Sequence, residues 1–191
     1  MAQRACADDA HESSVHDDLL AILGMGGTID KDYPRATKGY AFEIEEPAAG
    51  RILSALPFTG LQWTVTSVCK KDSTEIVQAD RELLVKQIQA CRCTRVVVTH
   101  GTDSLIETAK HVALSGVGTD KVIAFTGAMK PERFIDSDAA FNVGAAVAAT
   151  ASLPKGSVVV VMGGRVINCL ECDRDHKTGL FCKRVESAGA P

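Results

Sequence analysis

Short apolar runs recur along the chain, each followed by a loop of small and polar residues. They are Leu19 to Gly24, Leu61 to Cys69, Arg95 to Thr99, Lys121 to Thr126 and Ser157 to Met162. Three of them contain VVVT, VIAFT and VVVVM, which are continuous rather than alternating. Such runs suit strands buried on both faces, as in a parallel sheet. Between them the spacing turns helical. Ala79 to Cys91 sets Leu83, Leu84, Ile88 and Cys91 on one stripe, and Asp103 to Leu114 does the same with Leu105, Ile106, Ala109, Val112 and Ala113. Asp136 to Ser152 is alanine-rich and stops before Pro154, and Glu45 to Leu56 is a weaker helix with Pro47 in its first turn. Strand and helix therefore alternate, which predicts an α/β doubly wound parallel sheet with right-handed crossovers.

The chain has 191 residues, within the range of one domain. Residues 1–17 lack apolar periodicity and read as a flexible tail, 18–185 as the α/β domain and 186–191 as a C-terminal tail. Hydrophobic residues at 46% and charged residues at 24% exclude general disorder. The run Val158 to Met162 is far short of the roughly 20 apolar residues that cross a bilayer, so no membrane partner is expected. A net charge of −3 gives no field to attract nucleic acid. Seven cysteines, an odd number, with no apolar leader segment point to reduced thiols and a cytoplasmic setting.

In doubly wound sheets, ligands bind beyond the carboxyl ends of the strands. The loops expected there are Gly26-Gly27-Thr28-Ile29-Asp30, Lys71-Asp72-Ser73-Thr74, His100-Gly101-Thr102-Asp103-Ser104 and Gly127-Ala128-Met129-Lys130. The glycine spacing fits neither the dinucleotide fingerprint nor a P-loop. Two glycines before Thr28 allow close backbone approach to a ligand. Thr102, Asp103 and Ser104 cluster where a helix begins, as caps or as a site for a carboxylate. A threonine hydroxyl attacks only when a base takes its proton. The residues alone thus describe a Thr/Asp/Ser-rich cleft suited to a small zwitterion. They do not name a reaction. His100 reads as a strand-end packing residue, and Lys70 and Lys71 as solvated charges.

Taken together and in this order, Gly26-Gly27-Thr28-Ile29-Asp30, Lys71-Asp72-Ser73, Val98-Thr99-His100-Gly101-Thr102-Asp103-Ser104 and Gly127-Ala128-Met129-Lys130-Pro131 resemble the bacterial-type L-asparaginase family. Phe141-Asn142 and Val161-Met162 add smaller matches. The resemblance implies a flavodoxin-like domain, corresponding to the family's N-terminal domain. It implies hydrolysis of L-asparagine to L-aspartate and ammonia without a cofactor, L-glutamine being the second candidate substrate. Thr28 maps onto the family nucleophile, Thr102 and Asp103 onto its second threonine and aspartate, and Ser73 onto the serine that binds the substrate carboxylate. Asp72, Gly27, Gly101 and Ala128 complete the expected substrate surface. The assisting tyrosine maps onto Tyr33 in preference to Tyr40.

The chain departs from that pattern in two ways. Its length corresponds to short, single-domain members, so cleft closure is expected from its own loops or from a homo-oligomer. Counting without gaps sets Arg174 where the family has a catalytic lysine, with Lys177 three residues on. Arginine does not act as a base near neutral pH. Lys177 is therefore the expected base, reached through a displaced loop. The alternative is a catalytically weak member that binds an amino acid. Cys169 and Cys172, followed by His176 and Cys182, have zinc-like spacing, but ordinary core cysteines explain them better and no metal is expected.

Overall fold

The computed structural model describes residues 19–33, 41–56, 59–175 and 177–184; the expected tails at 1–17 and 186–191 lie outside them. Five strands form the parallel part of one sheet: β1 (Leu20–Gly26), β4 (Trp63–Lys71), β5 (Arg95–Thr99), β6 (Val122–Thr126) and β7 (Val158–Met162). A sixth, β8 (Arg165–Asn168), pairs antiparallel with β7. The order is β4-β1-β5-β6-β7-β8. Its parallel part has the flavodoxin-type order, whose direction of winding reverses between β1 and β5.

Four helices cover the sheet: α1 (Ala48–Ser54), α2 (Gln78–Ala90), α3 (Leu105–Leu114) and α4 (Ala139–Ser152). The continuous apolar runs divide by alternation between two cores. Val96, Val98, Ile123 and Phe125 face α2 and α3, whereas Val97 and Ala124 face α1 and α4. Each central strand is thus apolar on both faces because helices cover both. Small residues on α4, including Ala139, Ala146 and Ala149, are buried against the second face.

Several boundaries differ from the sequence pattern, each for a local reason. Pro47 precedes α1 as its N-cap residue rather than lying in its first turn. Helix α3 starts at Leu105, because the Asp103 carboxylate accepts from the Ser73 hydroxyl and the Ser104 hydroxyl donates to the Ser73 carbonyl, so neither side chain caps the helix. Helix α4 starts at Ala139, since the Asp138 carboxylate turns back to accept from the Met129 N–H at 2.9 Å. On α2, Leu83 is 40% exposed, and the buried stripe runs through Asp80, Arg81, Leu84 and Ile88. Beyond the sheet lie two short antiparallel pairs, β2 (Lys31–Asp32) with β3 (Glu43–Ile44), and β9 (Cys172–Arg174) with β10 (Phe181–Lys183).

Asp30 ties the first loop to α1. Pro47 offers no side-chain cap, and the buried Asp30 supplies one from outside, its Oδ1 accepting from the Ala48 N–H at 2.7 Å. Its Oδ2 is buried without a partner among the described residues. Burial pushes this carboxyl up to about 7, against the opposing effects of the Ala48 N–H and Arg51. His100 is also buried; its Nδ1 donates to the Gly101 carbonyl at 2.8 Å, and burial pushes the ring down to about 4. The two shifts act oppositely on stability. Folding favours protonated Asp30, so that contribution is present at low pH and lost as pH rises from about 4 to about 7. Folding favours neutral His100, whose contribution is lost as pH falls from about 6.5 to about 4. Asp30→Asn removes only the first. The stability of the variant relative to the parent should therefore climb with pH from about 4 to about 7, by on the order of a few kcal/mol, and level off above. Urea unfolding at a series of pH values checks this; a pH-independent difference contradicts it.

Candidate active site

The loops after β1, β4 and β5 meet at the reversal of winding. Gly26 and Gly27 both have positive φ, 85° and 88°, a region that side chains other than glycine avoid. The turn they make presses Gly27 against the next loop. A Cβ on Gly27 would lie 2.2 Å from the Gly101 Cα, and one on Gly101 would lie 2.6 Å from the Ser73 Cβ. Backbone touches backbone here, and neither glycine has room for a side chain. Thr28 and Thr102 each stand one residue past this contact; Thr28 is half-buried and Thr102 buried.

Strand β4 reaches the junction by an irregularity. The register with β1 shifts between Gly24, which faces Ser67, and Gly26, which faces Lys71. Such a bulge re-aims the strand end. Here it turns Asp72 and Ser73 towards the loop after β5. The Gly27 N–H donates to the Lys71 carbonyl at 2.9 Å, locking the first two loops. Asp72 caps the following turn by accepting from the Thr74 N–H at 3.2 Å, and it binds the Lys31 ammonium at 3.0 Å. The Lys31 ammonium first, then the Thr74 N–H, hold the Asp72 carboxyl below the usual range. Its position is thus that of a brace beneath Ser73.

Ser73 and Asp103 form a reciprocal pair. The Ser73 Oγ accepts from the Asp103 N–H at 3.2 Å and donates to Asp103 Oδ2 at 3.4 Å. The Ser104 hydroxyl donates to the Ser73 carbonyl. The other carboxylate oxygen of Asp103 accepts from Arg174 Nη1 at 2.9 Å. Arg174 is in turn held by its Nε, which donates to the Gly179 carbonyl at 3.2 Å, and its guanidinium lies 5.7 Å from the Phe181 ring centre. A hydroxyl and a carboxylate from two loops therefore meet a guanidinium from strand β9. Such a set can grip both charges of an amino acid.

The loop after β6 forms the next wall. A Cβ on Gly127 would lie 2.4 Å from the His100 carbonyl oxygen, so Gly127 and the buried Ala128 are pinned beside the third loop. Asn142 on α4 fixes this wall by donating to the Gly127 carbonyl and accepting from the Gly163 N–H, both at 3.0 Å.

A family model of the asparaginase N-terminal domain matches residues 19–184. The chain belongs to the asparaginase family. It is similar to the Schizosaccharomyces pombe protein named "Probable L-asparaginase 1", with 29% identity over 151 residues, covering 74% of this chain and 42% of that protein. A glutaminase-asparaginase of Acinetobacter glutaminasificans is 28% identical over 139 residues, covering 70% of this chain and 42% of its own length. The solved L-asparaginase I of Vibrio cholerae shares the fold with a TM-score of 0.75 at 21% identity, over 87% of this chain and 51% of that one. The chain spans less than half the length of the two sequence relatives.

Of the residues expected to form the asparaginase site, Ser73, Asp103, Gly27 and Gly101 are in mutual contact, and Thr28 and Thr102 flank them. Tyr33 stands apart on the exposed end of β2, its ring 4.4 Å from that of Phe42. Tyr40 and His176 lie outside the described residues. Lys177 is exposed on the turn between β9 and β10, where its N–H donates to Asp175 Oδ1 at 2.8 Å. Arg174, and not Lys177, touches Asp103. Among the described residues no group of three or more His, Cys, Asp or Glu could hold a metal ion. Sequence reasoning gave no role to Asp30 or Lys31. For Asp30 a signal exists: a helix that opens on Pro47 carries no capping side chain and must be capped from elsewhere.

The glycine junction yields a contrast. Gly101→Ala should destabilise by about 1–3 kcal/mol, because its methyl meets Ser73 with no room to yield. Gly144→Ala, in the exposed part of α4 with nothing within 4 Å, should be neutral or stabilising by roughly 0.5–1 kcal/mol. Urea midpoints of the two variants check the pair, and equal effects contradict the contact.

Proposed function

We propose that the chain is an amidohydrolase that converts L-asparagine to L-aspartate and ammonia through Thr28, with L-glutamine as the second candidate substrate. The observation that supports this reading is the packing of Gly27 on Gly101 and of Gly101 on Ser73, with Thr28 and Thr102 the next residues after the two glycines and Asp103 bound to Ser73. Ser73 binds the substrate α-carboxylate, and Asp103 its α-ammonium. Gly27 and Gly101 admit the substrate close to the backbone, Asp72 braces Ser73, and Ala128 closes the far wall. The Thr28 hydroxyl attacks the amide carbon as a base removes its proton. The proton passes to the leaving nitrogen, ammonia departs, and an ester on Thr28 remains. Water then cleaves the ester, with Thr102 in the relay that takes up its proton.

The base in this reading is Lys177. An arginine holds its proton throughout the working pH range, whereas lysine is readily tuned by its surroundings. Tyr33 assists Thr28 from the β2 side. No cofactor enters the scheme. The chain works as a homo-oligomer in the cytoplasm, the first part of this reading being supported by the exposed apolar side chains of Phe134, Ile135 and Phe141.

One observation favours a second reading. Arg174 occupies part of the Asp103 carboxylate, which fits a weak family member that holds an amino acid and turns it over poorly. Ammonia release by purified protein, with both amides, separates the two. Thr28→Ala should lower that release by about 10²–10⁴-fold without loss of the fold. Turnover near the parent level rejects Thr28 as nucleophile. Lys177→Met should abolish turnover, and Arg174→Lys should matter less. A sharp gain in Arg174→Lys, with Lys177→Met silent, reassigns the base to position 174.

A further inference from the structure

We propose that Arg174 sets the substrate specificity of this site, by strengthening recognition of the α-carboxylate and weakening the demand that Asp103 makes for an α-ammonium. The proposal rests on the amidohydrolase reading above. An aspartate with free oxygens selects a cation. Here both oxygens of Asp103 already have a partner: Oδ2 receives the Ser73 hydroxyl at 3.4 Å, and Oδ1 receives Arg174 Nη1 at 2.9 Å. The arginine is not a loose surface charge. Its Nε is bound to the Gly179 carbonyl, its guanidinium lies over Phe181, and its backbone pairs with Phe181 in the β9–β10 ladder. The turn that carries Gly179 is closed by the Gly179 N–H on the Asp175 carbonyl at 2.7 Å.

Two consequences follow from charge alone. The Asp103–Arg174 pair is neutral as a unit, so Asp103 attracts an α-ammonium less strongly than an unpaired carboxylate would. An α-ammonium that reached Asp103 would also lie beside the guanidinium, and like charges a few ångströms apart repel. The remaining guanidinium N–H groups, by contrast, are donors suited to a carboxylate, on the same aspartate that Ser73 binds. The substrate class is therefore the amides of short dicarboxylic acids, with or without an α-amino group.

The test compares kcat/KM for L-asparagine and for succinamate, the same amide without its amino group, in the parent and in Arg174→Met, Arg174→Gln and Arg174→Lys. The parent should use the two amides within about tenfold of each other. The neutral variants should raise the asparagine-to-succinamate ratio by about tenfold or more, and Arg174→Lys, which keeps the charge, should leave it within about threefold of the parent. A ratio unmoved in both neutral variants overturns the proposal, and so does a Lys variant that shifts as far as they do. Calorimetric titration with L-aspartate and succinate gives the same comparison without turnover. If no variant releases ammonia, the amidohydrolase reading fails by itself. The Kd ratio then decides Arg174: a shift towards L-aspartate in the neutral variants supports its role, and an unchanged ratio overturns it. Arg174→Gln keeps a planar polar end, which guards against misfolding of the Met variant.

Discussion

The contact between the Gly27 and Gly101 backbones governs the geometry of everything around it. It lies between β1 and β5, where the chain winds first to one side and then to the other. A parallel sheet splays its connections apart at such a point, which leaves a crevice. In this molecule the crevice floor is drawn together by two residues without side chains, and Ser73 is pressed against the second of them. Any Cβ would force the loops apart, and with them Thr28 and Thr102. The separation of the Thr28 and Thr102 backbones is therefore set by backbone dimensions, which vary less than side-chain rotamers.

Loops at that junction are held by charges lying further out. Lys31 reaches from the first loop to Asp72 in the second. Lys71 binds both oxygens of Asp80 at 2.8 Å, fixing the end of β4 to the start of α2. Arg81 on α2 meets Glu107 on α3 at 3.0 Å. Pairs of this kind, each with at least one partner still in contact with water, contribute modestly to stability. Their value is directional, since each joins segments that converge on Ser73 or Asp103.

The alternation of elements was legible in the sequence because both faces of the central strands are buried. That burial writes uninterrupted valine and isoleucine runs into the chain, as in Arg95 to Thr99, where the expected and observed strands coincide. The Gly-Gly-Thr and Thr-Asp-Ser segments were legible for a related reason: only strand-end loops of a cleft need such small polar residues. Element starts were less legible, because Asp103, Ser104 and Asp138 look like caps but bind neighbouring loops instead. Strand β8 and the two short pairs carry too few apolar residues to register as periodic. Asp30 was missed because its partner, the Ala48 N–H, is 18 residues away and is backbone.

The least legible element, the β9–β10 pair, is also the one that carries Arg174 to Asp103. Its position follows from β8. The antiparallel turn from β7 to β8 adds a strand at the sheet edge, and Arg165 on that strand donates to the Phe181 carbonyl of β10 at 3.4 Å. Buried Cys172 and Phe181 join the core that α2 and α3 share with the sheet. The pair is thereby anchored from below, and Arg174 at its upper end is carried to Asp103, 71 positions earlier in the chain. A gapless count along the sequence placed Arg174 where a lysine was expected but could not show what it would touch. In the fold, its partner is the carboxylate expected to bind the substrate, so the proposed specificity and the proposed identity of the base meet at this one residue.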